Sequence, residues 1–519
     1  MNHCAYICCL LALAVPGLLT GCAGLPTGIQ RSESHALSDR SGTTLARVAA
    51  ASLPDDAPMP SAMRLLPDGS QAFEALGSLI DTAERTIDAQ YYEVAVDASG
   101  RAFLAALDAA AARGVRVRLL IDDLHAAGHD DLLLALAARP NLEVRMFNPL
   151  MVRSDSLAAR VLFSLNDFRR VNRRMHNKLL VADNAFAISG GRNIADAYFG
   201  RGDKASHFID MDVLSAGAVV GELSAAFDIY WNSELAYPIR SLVDEDVRPA
   251  SRSALQAPPG EGAERRATDQ DVLGQGSIGA QLSMGRVALH PAHARVVADA
   301  PRKSPHEAAL ADGVVMQANL ALLQSARSEV LVASPYFVPG QRTLGILRQS
   351  VDNRVEVSVL TNSIATTDEP LVHHGYARYR QALLDMGVGL YELIPGAGAQ
   401  AMANRPRGSL SRLHTKLAVV DGRWLSIGSM NMDRRSAHCN TEMNLLIDSP
   451  ELAGQVAQLL RQGEMPRSYR VRRTDPAGSL EWVRQDEPQP QVFAAEPHAS
   501  WALRLRMSLV SLFVSEELL

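Results

Sequence analysis

The sequence predicts an α/β protein made of two tandem copies of one βαβα unit. Each copy is expected to be a mostly parallel sheet covered by helices, with an active site at the pseudo-twofold interface between them. Two observations predict this. The first is a spacing that occurs twice: His176, Lys178, Asp183, Gly190 and Asn193 are matched by His414, Lys416, Asp421, Gly428 and Asn431. From each His, the Lys falls at +2, the Asp at +7, the Gly at +14 and the Asn at +17. The second is that helix-like and strand-like stretches recur in the same order at a nearly constant offset, 240 residues from Val115 to Val355 and 238 from His176 to His414. Strand and helix patterns in alternation indicate parallel strands covered by crossover helices, and their recurrence indicates an internal duplication.

The bulk composition narrows the field. With 519 residues, 47% hydrophobic and 21% charged, the chain is globular in character. Its formal net charge of −6 supplies no basic excess, so no nucleic-acid partner is expected. Four of the five cysteines (Cys4, Cys8, Cys9, Cys22) fall within the first 22 residues, which leaves only Cys439 for the body. An internal disulfide or a Cys-rich metal site is therefore excluded there. The sequence holds no His-Glu-x-x-His, EF-hand, Walker or Gly-x-Ser-x-Gly motif.

At the amino end, Ala5 to Leu19 is apolar but too short for a comfortable membrane span. It runs into Leu19-Thr-Gly-Cys22, which resembles the lipobox of bacterial lipoproteins. That resemblance implies a signal peptide over 1–22 and acylation of Cys22, anchoring the chain in the cell envelope on the periplasmic side; Ala23 after the cysteine points to the outer membrane. Residues 23–60, rich in Ser, Pro, Ala and Gly, read as a flexible tether.

The first repeat is expected over 61–248. Phe73, Leu76, Leu79 and Ile80 give Gln71 to Ala83 a helical face, and Thr86 to Tyr92 reads as a strand. Arg101 to Arg113 is an Ala-rich helix stopped by Gly114, Val115 to Ile121 a strand, Asp131 to Ala138 a helix and Leu142 to Phe147 a strand. Residues 249–310, rich in Gly, Pro and charge, read as a connector with little core. The second repeat, 311–470, restates the order. Helices at Val314 to Ala326, Thr343 to Ser350 and Gly375 to Met386 alternate with strands at Val330 to Phe337, Val355 to Leu360 and Gly389 to Leu393. A C-terminal extension over 471–519 ends in a helix whose stripe, Trp501, Leu505, Leu509, Leu512 and Phe513, is read as docked on the body.

In both copies three apolar residues follow the Lys, which suits a buried strand with His and Lys on one face at its leading end. Two such histidines brought together divide nucleophile and general-acid duties, while lysines and asparagines hold a phosphoryl group without a metal. The paired pattern resembles the signature of the phospholipase D superfamily over about residues 61–470. The resemblance implies a catalytic motif of His176, Lys178 and Asp183 with His414, Lys416 and Asp421, the two aspartates supporting the motif rather than carrying protons. It implies that Asn193 and Asn431 bind phosphate, and that no metal or cofactor takes part. The family pattern favours His176 as nucleophile; the residues themselves assign that role to neither histidine.

The family also places a carboxylate downstream of each motif to orient its histidine. Glu442 at +28 suits His414; Asp212 at +36 is the best match for His176, with Asp210 as the alternative. Within the superfamily, Gln90-Tyr-Tyr92, Ser334-Pro-Tyr-Phe-Val-Pro339, Leu360-Thr-Asn-Ser363, His374-Gly-Tyr-Ala-Arg-Tyr379 and Tyr230-Trp-Asn-Ser233 are similar to bacterial cardiolipin synthases, particularly the C-type. That resemblance implies phospholipid partners, phosphatidylglycerol as acceptor with phosphatidylethanolamine as a donor, and a membrane surface. The alternatives are hydrolysis of phospholipids, a nuclease and a non-catalytic lipid-binding scaffold.

Overall fold

The computed structural model describes residues 24–37, 39, 41–54, 60–201, 207–243, 249–255, 270–303, 313–396, 411–474, 478–484 and 489–500. The leader with Cys22 and the terminal stretch from Trp501 lie outside the described residues.

In the first half the strands are β1 (Ser61–Leu66), β2 (Thr86–Tyr91), β3 (Arg116–Asp122), β4 (Leu142–Phe147), β5 (Leu179–Ala182), β6 (Phe186–Gly190), β7 (His207–Ile209), β8 (Asp212–Gly217) and β9 (Ala236–Pro238). Then come β10 (His290–Ala298), β11 (Glu329–Ala333), β12 (Glu356–Asn362), β13 (Gly389–Leu393), β14 (Ser411–Leu413), β15 (Leu417–Val420), β16 (Trp424–Gly428), β17 (Met443–Asp448), β18 (Ser468–Arg473), β19 (Leu480–Arg484) and β20 (Gln491–Phe493). The first half is ordered β9-β4-β3-β2-β5-β6-β8-β1, and the second β10-β17-β16-β15-β11-β12-β13-β18 with β19 and β20 beyond. The two are mirror-ordered copies, and β10 joins them by pairing with β1 on one side and β17 on the other.

The α/β duplication holds, but the expectation of mostly parallel sheets does not. Parallel pairing within each half is confined to β2-β3-β4 and β11-β12-β13. These are the strands joined by helical crossovers, such as Ala98–Ala112 and Gly340–Asp352. The histidine-bearing strands sit instead in antiparallel hairpins, because a tight turn follows each of them. At Asp183 and Asn184 φ is 49° and 50°, and at Asp421 and Gly422 it is 54° and 59°. Ala185 N donates to Ala182 O, and Arg423 N to Val420 O, closing turns of the I′ kind that match strand twist.

Asp183 also accepts from the backbone N–H groups of Glu84, Arg85 and Thr86 at 3.0, 2.8 and 2.9 Å, and Asp421 from those of Arg327, Ser328 and Glu329 at 3.0, 2.7 and 3.0 Å. Each motif aspartate thus pins its hairpin to the start of the neighbouring parallel strand. That sets the register in which the histidine is presented.

Three boundary expectations change. Residues expected to be tether carry helix Thr44–Ser52, which buries Leu45, Val48 and Ala49, while Arg31 donates to the carbonyls of Ala236 and Glu234. Small residues hid an i, i+3, i+4 apolar face there. The connector contains helix Ile278–Ser283 and β10, with Ile278, Leu282, Ala292 and Val297 buried. The C-terminal extension, up to residue 500, widens the second sheet with β19 and β20, and its Glu496 is clasped by His373 at 2.6 Å and Arg380 at 2.6 Å.

Candidate active site

The segment before each histidine crosses to the other half. β14, leading to His414, pairs in parallel with β7, which precedes Asp210. Met175, before His176, bridges in parallel to Thr441, before Glu442. His176 N donates to Thr441 O at 2.9 Å, and His414 N to Ile209 O at 2.8 Å. Both histidines are buried against this seam, and their rings line one cavity of about 610 Å3 together with Asn193 and Asn431.

The crossing decides which carboxylate serves which ring. Nδ1 of His176 lies 2.9 Å from Glu442 Oε2 and 3.0 Å from Ser429 O. Both are acceptors, so Nδ1 carries the proton and the Nε2 lone pair is left for the cavity side. Nδ1 of His414 lies 2.6 Å from Asp210 Oδ2. Glu442 therefore orients the first-copy histidine rather than His414, and Asp210, not Asp212, is its counterpart.

Strand register explains the displacement of Asp212. Gly190 pairs with Asp212 and Gly428 with Asn444, so Asp212 is the equivalent of Asn444, and Asp210, two residues earlier, is the equivalent of Glu442. Both equivalents do the same backbone work: Asp212 Oδ1 accepts from Arg192 N, and Asn444 Oδ1 from Met430 N, each at 3.2 Å. Asp212 also pairs with Arg192 Nη1 at 3.2 Å. The motif glycines are required here, since a Cβ on Gly190 would collide with Asp212 and one on Gly428 with Met443 O and Asn444. Gly191 likewise makes room for the Asp210 carboxylate.

Electrostatics set the protonation states. Burial, with Lys178 and Lys416 adding to it against the pull of Glu442, pushes the His176 imidazole down to about 4. Burial also lowers His414. Burial works against the Glu442 and Asp210 carboxylates, but the facing histidine and the nearby lysines outweigh it and hold both below the usual range. Burial brings Lys178 to about 7 and Lys416 to about 8. Lys178 donates to its own histidine's carbonyl, His176 O, at 2.6 Å, and Lys416 makes the same contact with His414 O. Lys178 also lies 5.2 Å from the Tyr92 ring centre.

Tyr198 was not singled out from sequence. Its hydroxyl lies 3.4 Å from Nε2 of His414 and accepts from Asn193 Nδ2 at 3.0 Å. Asn193, expected to bind phosphate, thus touches His414 through Tyr198. The buried Oδ1 atoms of Asn193 and Asn431 have no hydrogen-bond partner within the described residues. Of the aromatic stretches noted in the sequence, Tyr92 and Tyr336 line the cavity, whereas Tyr91, Tyr230, Trp231 and Tyr376 are core. No cluster of metal-ligating side chains occurs among the described residues.

Two mirror-ordered sheets that complete each other's histidine site define a two-repeat phosphodiester-processing fold of the phospholipase D type. A family model described as "Cardiolipin synthase, PLD-like domain" matches residues 76–231 and 320–462. Cardiolipin synthase C of Escherichia coli K12 is 36% identical over 480 residues, spanning 91% of this chain and 100% of that one. An uncharacterised Helicobacter pylori protein is 32% identical, covering 85% and 86% of the two chains. A Staphylococcus aureus cardiolipin synthase is 25% identical over 76% of this chain and 66% of its own. The crystal structure of a phosphatidylserine synthase from Haemophilus influenzae shares the fold, with a TM-score of 0.54 at 13% identity over 88% of this chain and 95% of that one. The chain belongs to the phospholipase D superfamily, among its cardiolipin synthase-like phosphatidyltransferases.

Proposed function

We propose that the protein makes cardiolipin, moving a phosphatidyl group from one phospholipid to the headgroup hydroxyl of phosphatidylglycerol by way of a phosphohistidine. The observation that carries this is the difference between the two Nε2 atoms. His176 presents its lone pair to the cavity from an imidazole that burial keeps neutral, while Nε2 of His414 already faces a hydroxyl. In the first step Nε2 of His176 attacks phosphorus and forms the P–N bond. The P–O bond to the leaving headgroup breaks, and a protonated His414 gives its Nε2 proton to that oxygen. In the second step His414 takes the proton of the incoming hydroxyl, the new P–O bond forms and the P–N bond breaks. Lys178, Lys416, Asn193 and Asn431 hold the charge that builds on the phosphoryl oxygens.

The relatives named as cardiolipin synthases support this reading. So does the cavity wall, where Glu93, Asp368 and Glu369 would repel a nucleic-acid strand. Phosphatidylglycerol is the acceptor, and phosphatidylglycerol or phosphatidylethanolamine the donor. The test is lipid analysis of a host stripped of its own cardiolipin synthases, with and without this gene, followed by the purified enzyme on headgroup-labelled lipids. Cardiolipin with release of glycerol or ethanolamine is expected. Phosphatidic acid alone would replace transfer with hydrolysis.

The protein is further proposed to be held on an envelope membrane by acylation of Cys22. No described helix is long and apolar enough to cross a membrane. Metabolic labelling with a fatty acid, lost in Cys22→Ser, is the expected result; an unlabelled protein processed elsewhere would refute it.

A further inference from the structure

Between β4 and β5 the first half carries a segment that is folded inside out. Helix Leu157–Phe163 buries a single residue, and that residue is Arg160. Its apolar side chains face the other way: Leu162 is 62% exposed and Phe163 58%, followed by Leu165 at 51% and Phe168 at 47%. Six of the twelve large apolar side chains exposed among the described residues fall between Leu157 and Phe168, so this is a patch and not scatter.

The inversion is built in. Arg160 reaches Asp130 at 3.0 Å and Asp123 at 3.4 Å, and Arg153 reaches Asp123 at 2.5 Å and Asp130 at 3.0 Å. Two arginines and two aspartates thus clasp the polar side of the segment to the body, which leaves the leucines and phenylalanines outward. Arg169 is exposed and Arg173 half-buried on the same stretch.

The segment is also attached to the active site. It runs directly into Arg174-Met175-His176. Asn172 accepts from Arg435 at 2.8 Å, and Arg435 lines the catalytic cavity. Asp123, at the centre of the clasp, is followed by Leu124 and His125, which line the same cavity.

We propose that residues 157–171 are an interfacial element that seats this face of the protein in an anionic phospholipid surface. The exposed apolar side chains enter the acyl boundary, Arg169 and Arg173 meet the headgroups, and the cavity is brought to the lipid phosphate. This deepens the phosphatidyl-transfer reading by assigning how the substrate is reached. The patch is attached to the cavity rim, and its charge suits anionic lipid.

The test uses the full chain carrying Phe163→Trp, a replacement that keeps the ring. With vesicles of phosphatidylglycerol and phosphatidylcholine whose acyl chains are brominated, the fluorescence added by this Trp should be quenched severalfold. It should not be quenched in phosphatidylcholine vesicles lacking the anionic lipid. A report from position 163 is independent of any acyl anchor. A Trp that stays unquenched overturns the proposal. So does one already shielded without vesicles, because a second copy or residues 501–519 then cover the patch.

In parallel, Leu162→Asp with Phe163→Asp should lose at least tenfold in turnover of bilayer phosphatidylglycerol. Turnover of a monomeric, water-soluble short-chain phosphatidylglycerol should stay within twofold. Equal loss on both substrates overturns it. Failure of the transfer reading itself would look different: wild type would yield phosphatidic acid alone from both lipids, or turn over neither, whether or not the Trp is quenched.

Discussion

The two halves carry the same five motif residues and place them in equivalent positions, yet their histidines are not equivalent. His176 leans on a glutamate, receives a second acceptor from Ser429 and keeps Nε2 toward the cavity. His414 leans on a shorter aspartate, made room for by Gly191, and its Nε2 meets Tyr198. Duplication supplied two identical parts, and divergence just outside the motif gave them different environments. The seam between the halves, rather than either motif, is where the chemistry is differentiated.

The largest expected effect breaks the symmetry outright. His176→Ala and His414→Ala should each cost on the order of 10^4-fold or more in turnover with the fold retained. Only the His414 variant should accumulate a phosphatidyl-histidine from a donor with a good leaving group, detectable by mass spectrometry of acid-protected peptides. Accumulation in the His176 variant instead would reverse the assignment.

Exchange of the orienting groups sharpens the crossing. Glu442→Gln and Asp210→Asn should each lower kcat by on the order of 10^2-fold or more, because the ring loses the carboxylate charge that holds its Nδ1 proton and stabilises the imidazolium. Asp212→Asn should fall less than tenfold, since Asn444 already fills the matching place in the other half. A double-mutant cycle should couple Glu442 to His176 and leave Glu442 and His414 nearly additive.

The pH profile separates the lysines. On a water-soluble substrate, kcat/KM should rise as pH climbs through about 4, where His176 loses its proton and becomes nucleophilic. It should decline again as pH climbs past the lowered His414 value, where the general acid loses its proton, and further above about 7 as Lys178 goes neutral, with Lys416 following near 8. Lys178→Gln should start from a lower plateau and lose the step above about 7.

The smallest effects concern the motif aspartates, which serve stability. Asp183→Ala leaves three backbone donors without their acceptor and should cost about 1–3 kcal/mol in unfolding free energy at nearly unchanged kcat. Asp421→Ala should cost less, because the donors at Arg327 and Ser328 are exposed to water. Urea titration beside a turnover assay checks both. A collapse of kcat in folded Asp183→Ala would return that residue to the chemistry.

Much of this was legible in the chain, for a physical reason. The duplicated spacing is strong because hairpin geometry fixes it: His, Lys, turn Asp and close-contact Gly must fall where register puts them. The crossover strands were readable to within a few residues because their apolar runs are long. Three things were not. The crossed pairing of Glu442 with His176 lies in tertiary contacts, and distance along the chain pointed each carboxylate at its own motif. The antiparallel pairing of β5, β6 and β8 was hidden because buried strands look alike whichever way they pair. Helix Thr44–Ser52 and β10 sat in stretches whose small, polar composition masked a short apolar face.

The seam has a consequence in time. As the chain is synthesised from its amino end, His176 and Lys178 emerge with about the first third of the sequence, but the carboxylate that fixes the His176 tautomer arrives only with Glu442. Asp210, already made, has no ring to hold until His414 appears. A nascent or prematurely terminated chain therefore carries a complete motif with no oriented imidazole. The proposed attack on lipid phosphate stays silent until both halves have folded together.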